Sequence, residues 1–197
     1  DFLREQTRNY NVLLTRSVVA SFLRQLVENF TNIYIVELGA TPLQLSGVRA
    51  LGAAASAVVS IPAGWRSDVY SLKKIMIIGM ALQIISVACY AFAQNWQWII
   101  AAMIFGTLTM TLVFRMQNII IANSLTNAKR ATGFAIRTVV RQFLAIFAPT
   151  IGGALVHLSG GISIQGIRPL YFIQLVGFTI ISIYVARNLE DIETHKT

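Results

Sequence analysis

Residues 64–93 read Gly64-Trp-Arg66-Ser-Asp68-Val-Tyr-Ser-Leu-Lys73-Lys74-Ile75-Met-Ile-Ile-Gly-Met-Ala-Leu-Gln-Ile-Ile-Ser-Val-Ala-Cys-Tyr-Ala-Phe-Ala93. The stretch has two parts. A short turn carries Arg66, Asp68, Lys73 and Lys74, and a run from Ile75 to Ala93 then holds no charge at all. A bilayer core about 30 Å thick takes about 20 helical residues to cross, so 75–93 has the length and composition of one crossing. A run apolar at nearly every position excludes a barrel strand, in which apolar and polar residues alternate over about 10 residues.

The pattern repeats along the chain. Apolar runs at about 17–38, 45–63, 98–122, 131–157 and 169–186 bring the predicted spans to six. They leave a segment 1–16 before the first and a tail 187–197, which can open a central linker. Runs 75–93 and 169–186 are free of charge, whereas the other four each carry Arg or Glu. No repeat of 20–50 residues is visible, and a start at Asp1 instead of Met is read as a fragment of a longer protein.

Composition agrees. The 197 residues are 55% hydrophobic and 12% charged, with a mean hydropathy of +0.64. An ordinary soluble domain is about 45–50% apolar and about 25% charged. A net charge of +8 would suggest a nucleic-acid partner in a soluble protein, but these charges are too few and scattered to form a phosphate-binding face. They sort by side instead. If six spans alternate, Arg4, Arg8, Arg16, Arg66, Lys73, Lys74, Lys129, Arg130, Arg187 and Lys196 fall on one side and Arg168 alone on the other. Basic loops mark the cytoplasm, so both termini are predicted there, in an integral protein of the cell (plasma) membrane. Trp96, Trp98 and Tyr171 fall near the predicted outer boundary, where interfacial aromatic residues would sit.

Enzyme chemistry is not expected. Cys89 is the single cysteine and His157 and His195 stand apart, so no metal site, cofactor site or nucleophile–base set is predicted.

Charge inside a membrane span is costly and normally faces protein or a water-filled path. In the first span Ser21, Arg24, Gln25, Glu28, Thr31 and Asn32 recur at helical spacing and form one polar stripe. Thr107, Thr111, Arg115 and Asn118 repeat the spacing in the fourth span, and Arg137 and Arg141 lie one turn apart in the fifth. These faces predict a central path lined by helices one, two, four and five, with three and six peripheral. The residues assigned to substrate or proton are Arg24, Glu28, Asn32, Thr111, Arg115 and Arg141. Two plainer readings stay open. Arg24 and Glu28 can pair across one turn, and Arg137 can snorkel to the boundary. Glu37 and Arg49 can form a rim pair. Gly52, Ser56, Ser60 and Gly64, each four apart, suit close helix packing.

The turn after the second span resembles the signature loop of the major facilitator superfamily: Gly, three residues, Asp, a basic residue, any residue, Gly, then two basic residues. Gly64, Asp68 and Lys73 match in register, while Val69, Ser71 and Leu72 depart from it. Pro149, Gly152 and Gly153 resemble the end of the family's antiporter motif in the fifth helix, with Ala148 in place of the first Gly. Pro149 predicts a kink and the two glycines a close helix contact. Arg115 resembles the family's fourth-helix arginine.

The resemblance implies an all-α membrane protein whose six transmembrane helices form the amino-terminal half of a twelve-helix transporter. It implies alternating access, a second six-helix half in the same polypeptide in preference to a second copy, and a cytoplasmic gate at Gly64, Arg66, Asp68, Lys73 and Lys74. The expected partners are a small-molecule substrate, protons and the lipid bilayer, with no nucleic acid. The expected function is secondary active transport of a small organic solute, proton-coupled, with drug or organic-anion antiport as the implied subtype. The alternatives are a non-transporting membrane scaffold and a channel-like pore. Glu28 is the one acid deep in a span and so the proton-coupling candidate. The interior arginines outnumber it, which suits an anionic substrate unless acids of the other half neutralise them.

Overall fold

The structure, a computed structural model, describes residues 7–67 and 71–190, with the side chains of 48, 55, 56, 58–67 and 127 outside that description. The described residues form six helices: α1 (Arg8–Glu37), α2 (Pro42–Ser67), α3 (Leu72–Ala91), α4 (Gln97–Asn123), α5 (Asn127–Leu158) and α6 (Ile164–Asn188). Local sequence sets their ends. The Thr7 hydroxyl accepts from the Tyr10 amide at the start of α1, and Ser71 and Ser163 cap α3 and α6 in the same way. Such a side-chain acceptor satisfies one of the amides left unpaired in a first turn. Gly39 (φ 94°) follows α1, and Gly160 (φ 111°) and Gly161 (φ 80°) follow α5, in a backbone region that side chains disfavour.

Hydrogen bonds fix which ends meet. Arg8 pairs with Glu190 at 3.4 Å. Asn9 and Glu190 exchange two hydrogen bonds, of 3.2 and 2.9 Å. Lys73 Nζ donates to the Leu189 carbonyl at 2.5 Å, and Thr7 Oγ1 to the Ser124 carbonyl at 3.2 Å. The start of α1, the end of α6 and the starts of α3 and the α4–α5 turn therefore share one end, called here the termini end. At the far end, Arg168 Nη2 donates to the Ala93 carbonyl at 2.5 Å. An apolar cluster at the termini end gathers Tyr10, Leu13, Met76, Met116 and Val185. A second at the far end gathers Tyr34, Ile35, Ile99, Leu170 and Tyr171.

Helix α1 packs on α5 and α6, α3 on α4 and α6, and α2 on α4. Close seams use small residues. A Cβ on Gly152 of α5 would overlap the Leu26 carbonyl of α1, whereas Gly153 has open space around it. The close contact expected of both glycines is thus made by Gly152 alone. Pro149 lies inside α5, which stays helical through it. Gly52 lies beside Thr107 and Met103 of α4, where a Cβ would make only ordinary contacts; Ser56, Ser60 and Gly64 lie outside the described side chains.

Helices α3, α4, α5 and α6 are long and apolar enough to cross a membrane, with mean hydropathies of 1.6–1.8 over their best windows. Helices α1 and α2 do not reach that measure among the described residues. In α1 the cause is the polar stripe. Only 22–33% of the residues in the four windows are buried, so most of this apolar surface faces outward, as lipid or a further chain would require.

The helices also outrun the apolar segments that announce them. Helix α1 begins at Arg8, more than two turns before residue 17, because helical hydrogen bonding continues past the apolar run. Arg16, counted above as a loop charge, is therefore a helical residue, and it is buried. Tyr171 is a further correction. It is 1% exposed and belongs to the far-end core, not to an interfacial belt.

Candidate functional site

Two clefts lie along α1 and share Arg24. The first, between α1, α4 and α5, has a volume of about 550 Å³. Arg16, Ser17, Ser21, Arg24, Gln25, Gln117, Arg137, Arg141 and Gln142 supply its polar lining. Arg16 and Arg137 are only 5% and 7% exposed. Taking a guanidinium out of water costs several kcal/mol unless it is well partnered, and every partner here is neutral. Arg16 Nη1 donates to Gln117 Oε1 at 2.6 Å, and Nη2 to Gln83 Oε1 at 3.5 Å. Arg137 Nε donates to Ser17 Oγ at 2.9 Å, and Nη1 to Asn118 Oδ1 at 2.8 Å.

Ser17 and Gln117 are the hub. Gln117 Nε2 donates both to the Leu13 carbonyl, at 3.0 Å, and to Ser17 Oγ, while Ser17 donates to Leu13 O at 2.8 Å. One network thus ties α1, α4 and α5. A guanidinium has five N–H donors, more than either arginine uses. No buried side-chain nitrogen or oxygen among the described residues lacks a partner, and both arginines line the cleft.

The second cleft, of about 560 Å³, runs from Arg24 toward the far end. Glu28, Thr31 and Asn32 of α1 line it together with Arg49 of α2, Gln83, Ser86 and Tyr90 of α3, and Tyr171 and Gln174 of α6. Its wall is aromatic. Tyr90 and Tyr171 stack with centroids 5.0 Å apart and planes 5° apart. Tyr171 donates to Thr31 Oγ1 at 3.1 Å. Asn32 Oδ1 accepts from Arg49 Nη2 at 2.5 Å, so Arg49 turns to Asn32 and not to Glu37. Nor do Arg24 and Glu28 form an ion pair; Arg24 Nη1 lies 3.4 Å from Met110 Sδ.

The sequence matches the model of the Major Facilitator Superfamily over residues 14–196. The chain belongs to the major facilitator superfamily. With four helices of spanning length and apolarity, it is an integral membrane protein. Among solved structures it is similar to a POT family transporter crystallised with a thioalcohol-conjugated peptide, at 16% identity and a TM-score of 0.67. That match covers 92% of this chain and 39% of the transporter, so the chain spans well under half the length of that protein. A search of curated protein sequences finds no match.

Of the residues assigned to the superfamily path, the structure brings Arg24 and Arg141 to the first cleft and Arg24, Glu28 and Asn32 to the second. Arg115 is exposed and lines neither cleft. Thr111 also lines neither and bonds back to the Thr107 carbonyl at 3.2 Å. Pro149 lines the first cleft. In the gate motif, Lys73 holds the end of α6 through Leu189 and Lys74 is exposed. Asp68 and the side chains of Gly64 and Arg66 lie outside the described residues.

Sequence reading missed Arg16, Ser17 and Gln117 as site residues and left Arg137 open between the path and a snorkelling side chain. It also missed an inward role for α3 and α6. The signals existed. Gln83, Ser86 and Tyr90 recur at helical spacing on α3, as do Tyr171 and Gln174 on α6. They are uncharged, and a search for charge passes over them.

Proposed function

We propose that this chain is the amino-terminal half of a secondary active transporter that carries a small organic solute by alternating access. The carrying observation is the continuous polar track along α1, where two clefts of solute size meet at Arg24. Pockets for small ligands run to about 300–1,000 Å³. Superfamily membership supports the reading, and so does the length of the similar transporter, which leaves room for a second six-helix half in the same polypeptide. In this reading both termini and the 64–74 turn face the cytoplasm in the plasma membrane, and Asp68, Arg66, Lys73 and Lys74 form the gate. The seam at Pro149 and Gly152 is the hinge region of an antiporter.

Glu28 is the proton-coupling group. It lines the second cleft, exposed, and forms no ion pair with Arg24. The test is flux in liposomes holding the full-length carrier. Glu28→Gln should leave solute exchange running down its own gradient and abolish the response to a proton gradient. Undiminished proton-driven flux would remove Glu28 from the mechanism.

A further inference from the structure

We propose that the cleft between α1, α4 and α5 binds the doubly charged oxyanion of a small solute, a phosphate or a dicarboxylate, among the guanidinium groups of Arg16, Arg24, Arg137 and Arg141. The proposal rests on the reading of this chain as part of a solute carrier and names the substrate class of its first cleft.

No Asp or Glu lines the cleft. Its two buried arginines are held by two glutamines, a serine and an asparagine. A neutral acceptor fixes the direction of a guanidinium and leaves its charge intact. An arginine serving only to pack helices is ordinarily met by a carboxylate, because an unanswered buried charge is costly. Here two such charges are gathered in one network and two more arginines line the same space. Glu28, one turn along α1, acts on Arg24 from the second cleft, but one carboxylate against four guanidinium groups leaves the site short of negative charge, and the ligand is what supplies it.

The arrangement separates two tasks. Arg16 and Arg137 are clamped at the wall. Arg24 and Arg141, half-buried, are the arms that reach an incoming group. The planar fork of arginine matches carboxylate and phosphate oxygens in pairs. Arg16 and Arg24 are two turns apart on α1, a rise of roughly 12 Å at about 1.5 Å per residue. That rise separates backbone positions, and the long side chains let several guanidinium groups converge on one ligand; four cations around about 550 Å³ are answered better by a dianion than by a monoanion.

The test uses the purified full-length carrier in detergent, with inorganic phosphate and succinate as probes and sodium chloride matching the ionic strength. One or both probes should raise the melting temperature and bind saturably in calorimetry, and which one does so separates a phosphate from a dicarboxylate. Arg24→Gln and Arg141→Gln, at half-exposed positions chosen to spare the buried network, should each weaken binding about tenfold or more, in line with the loss of one charged hydrogen-bonding group. Arg141→Lys should recover part of that loss. Arg187→Gln, an equal change of charge at the end of α6, should leave binding unchanged. Stabilisation by neither probe would overturn the proposal and would mean that acids from the rest of the carrier fill the site. Equal loss in Arg187→Gln would reduce the effect to net charge and overturn it as well. Liposome flux distinguishes the two readings. Anion binding without any solute flux retains the site and rejects transport. Flux of another solute that neither anion competes with rejects the site and retains transport.

Discussion

The two clefts draw on the same face of α1 yet are held together differently. The first is walled by cations whose positions are dictated by a buried network crossing three helices. The second is walled by stacked tyrosines and by pairs, such as Asn32 with Arg49, whose members are exposed. A helix stripe therefore has no single character along its length. Near the termini end it enters a crowded junction with α4 and α5, where each polar group must find a partner. Toward the far end Glu28 and Asn32 are exposed, and the stripe stays open.

The largest expected effect tests that contrast directly. Gln117→Leu removes the short acceptor of Arg16 and both bridges to α1, leaving a buried guanidinium poorly satisfied. Charged hydrogen bonds contribute about 1.5–3 kcal/mol each, so unfolding in detergent should show a loss of about 3 kcal/mol. Asn32→Leu, the matching change at an exposed pair in the second cleft, should stay within about 0.5 kcal/mol, as surface substitutions do. Equal losses would mean that the clefts are built alike.

The seam where the clefts meet gives the next test. Leu26 lies between Arg24 and Glu28 on α1, and its carbonyl sits against Gly152. Gly152→Ala places a methyl group onto backbone that has no rotamer to yield, so α1 and α5 must separate. Overpacking of this kind costs about 1–3 kcal/mol. Gly153→Ala meets nothing and should be neutral, or gain up to about 1 kcal/mol from helix propensity. Thermal melting of the pair checks this. A tolerated Gly152→Ala would show that the seam is loose enough for the clefts to move independently.

What the sequence made legible follows from what periodicity can report. The polar stripe of α1 was readable because one helix repeats every 3.6 residues, and the six helices were readable as long apolar runs, four of which reach the length and apolarity of a membrane crossing among the described residues. Which face meets which neighbour is a different kind of information. Arg16 falls where basic residues usually mark a loop, and nothing local distinguishes a snorkelling arginine from one clamped by Gln117, a hundred residues away. Arg137 was legible one turn before Arg141, but Ser17 and Asn118, which hold it in place of the membrane boundary, lie on other helices. The uncharged stripes of α3 and α6 could have been recovered by counting Gln, Ser and Tyr along with charge. The Tyr90–Tyr171 stack could not, because it depends on two helices meeting in one register.

That stack offers the smallest and most discriminating change. Tyr171→Phe keeps the ring against Tyr90 and deletes the hydroxyl that donates to Thr31 at 3.1 Å. If the second cleft is held chiefly by its aromatic wall, the loss is one ordinary hydrogen bond, about 1 kcal/mol, measured by unfolding in detergent. Thr31 does not become an orphan, since it also donates to the Val27 carbonyl at 3.0 Å. A loss approaching that of Gln117→Leu would show instead that Tyr171 belongs to a cooperative polar network like the one around Ser17. The contrast between a clamped cleft and an open one would then fail at the wall that defines it.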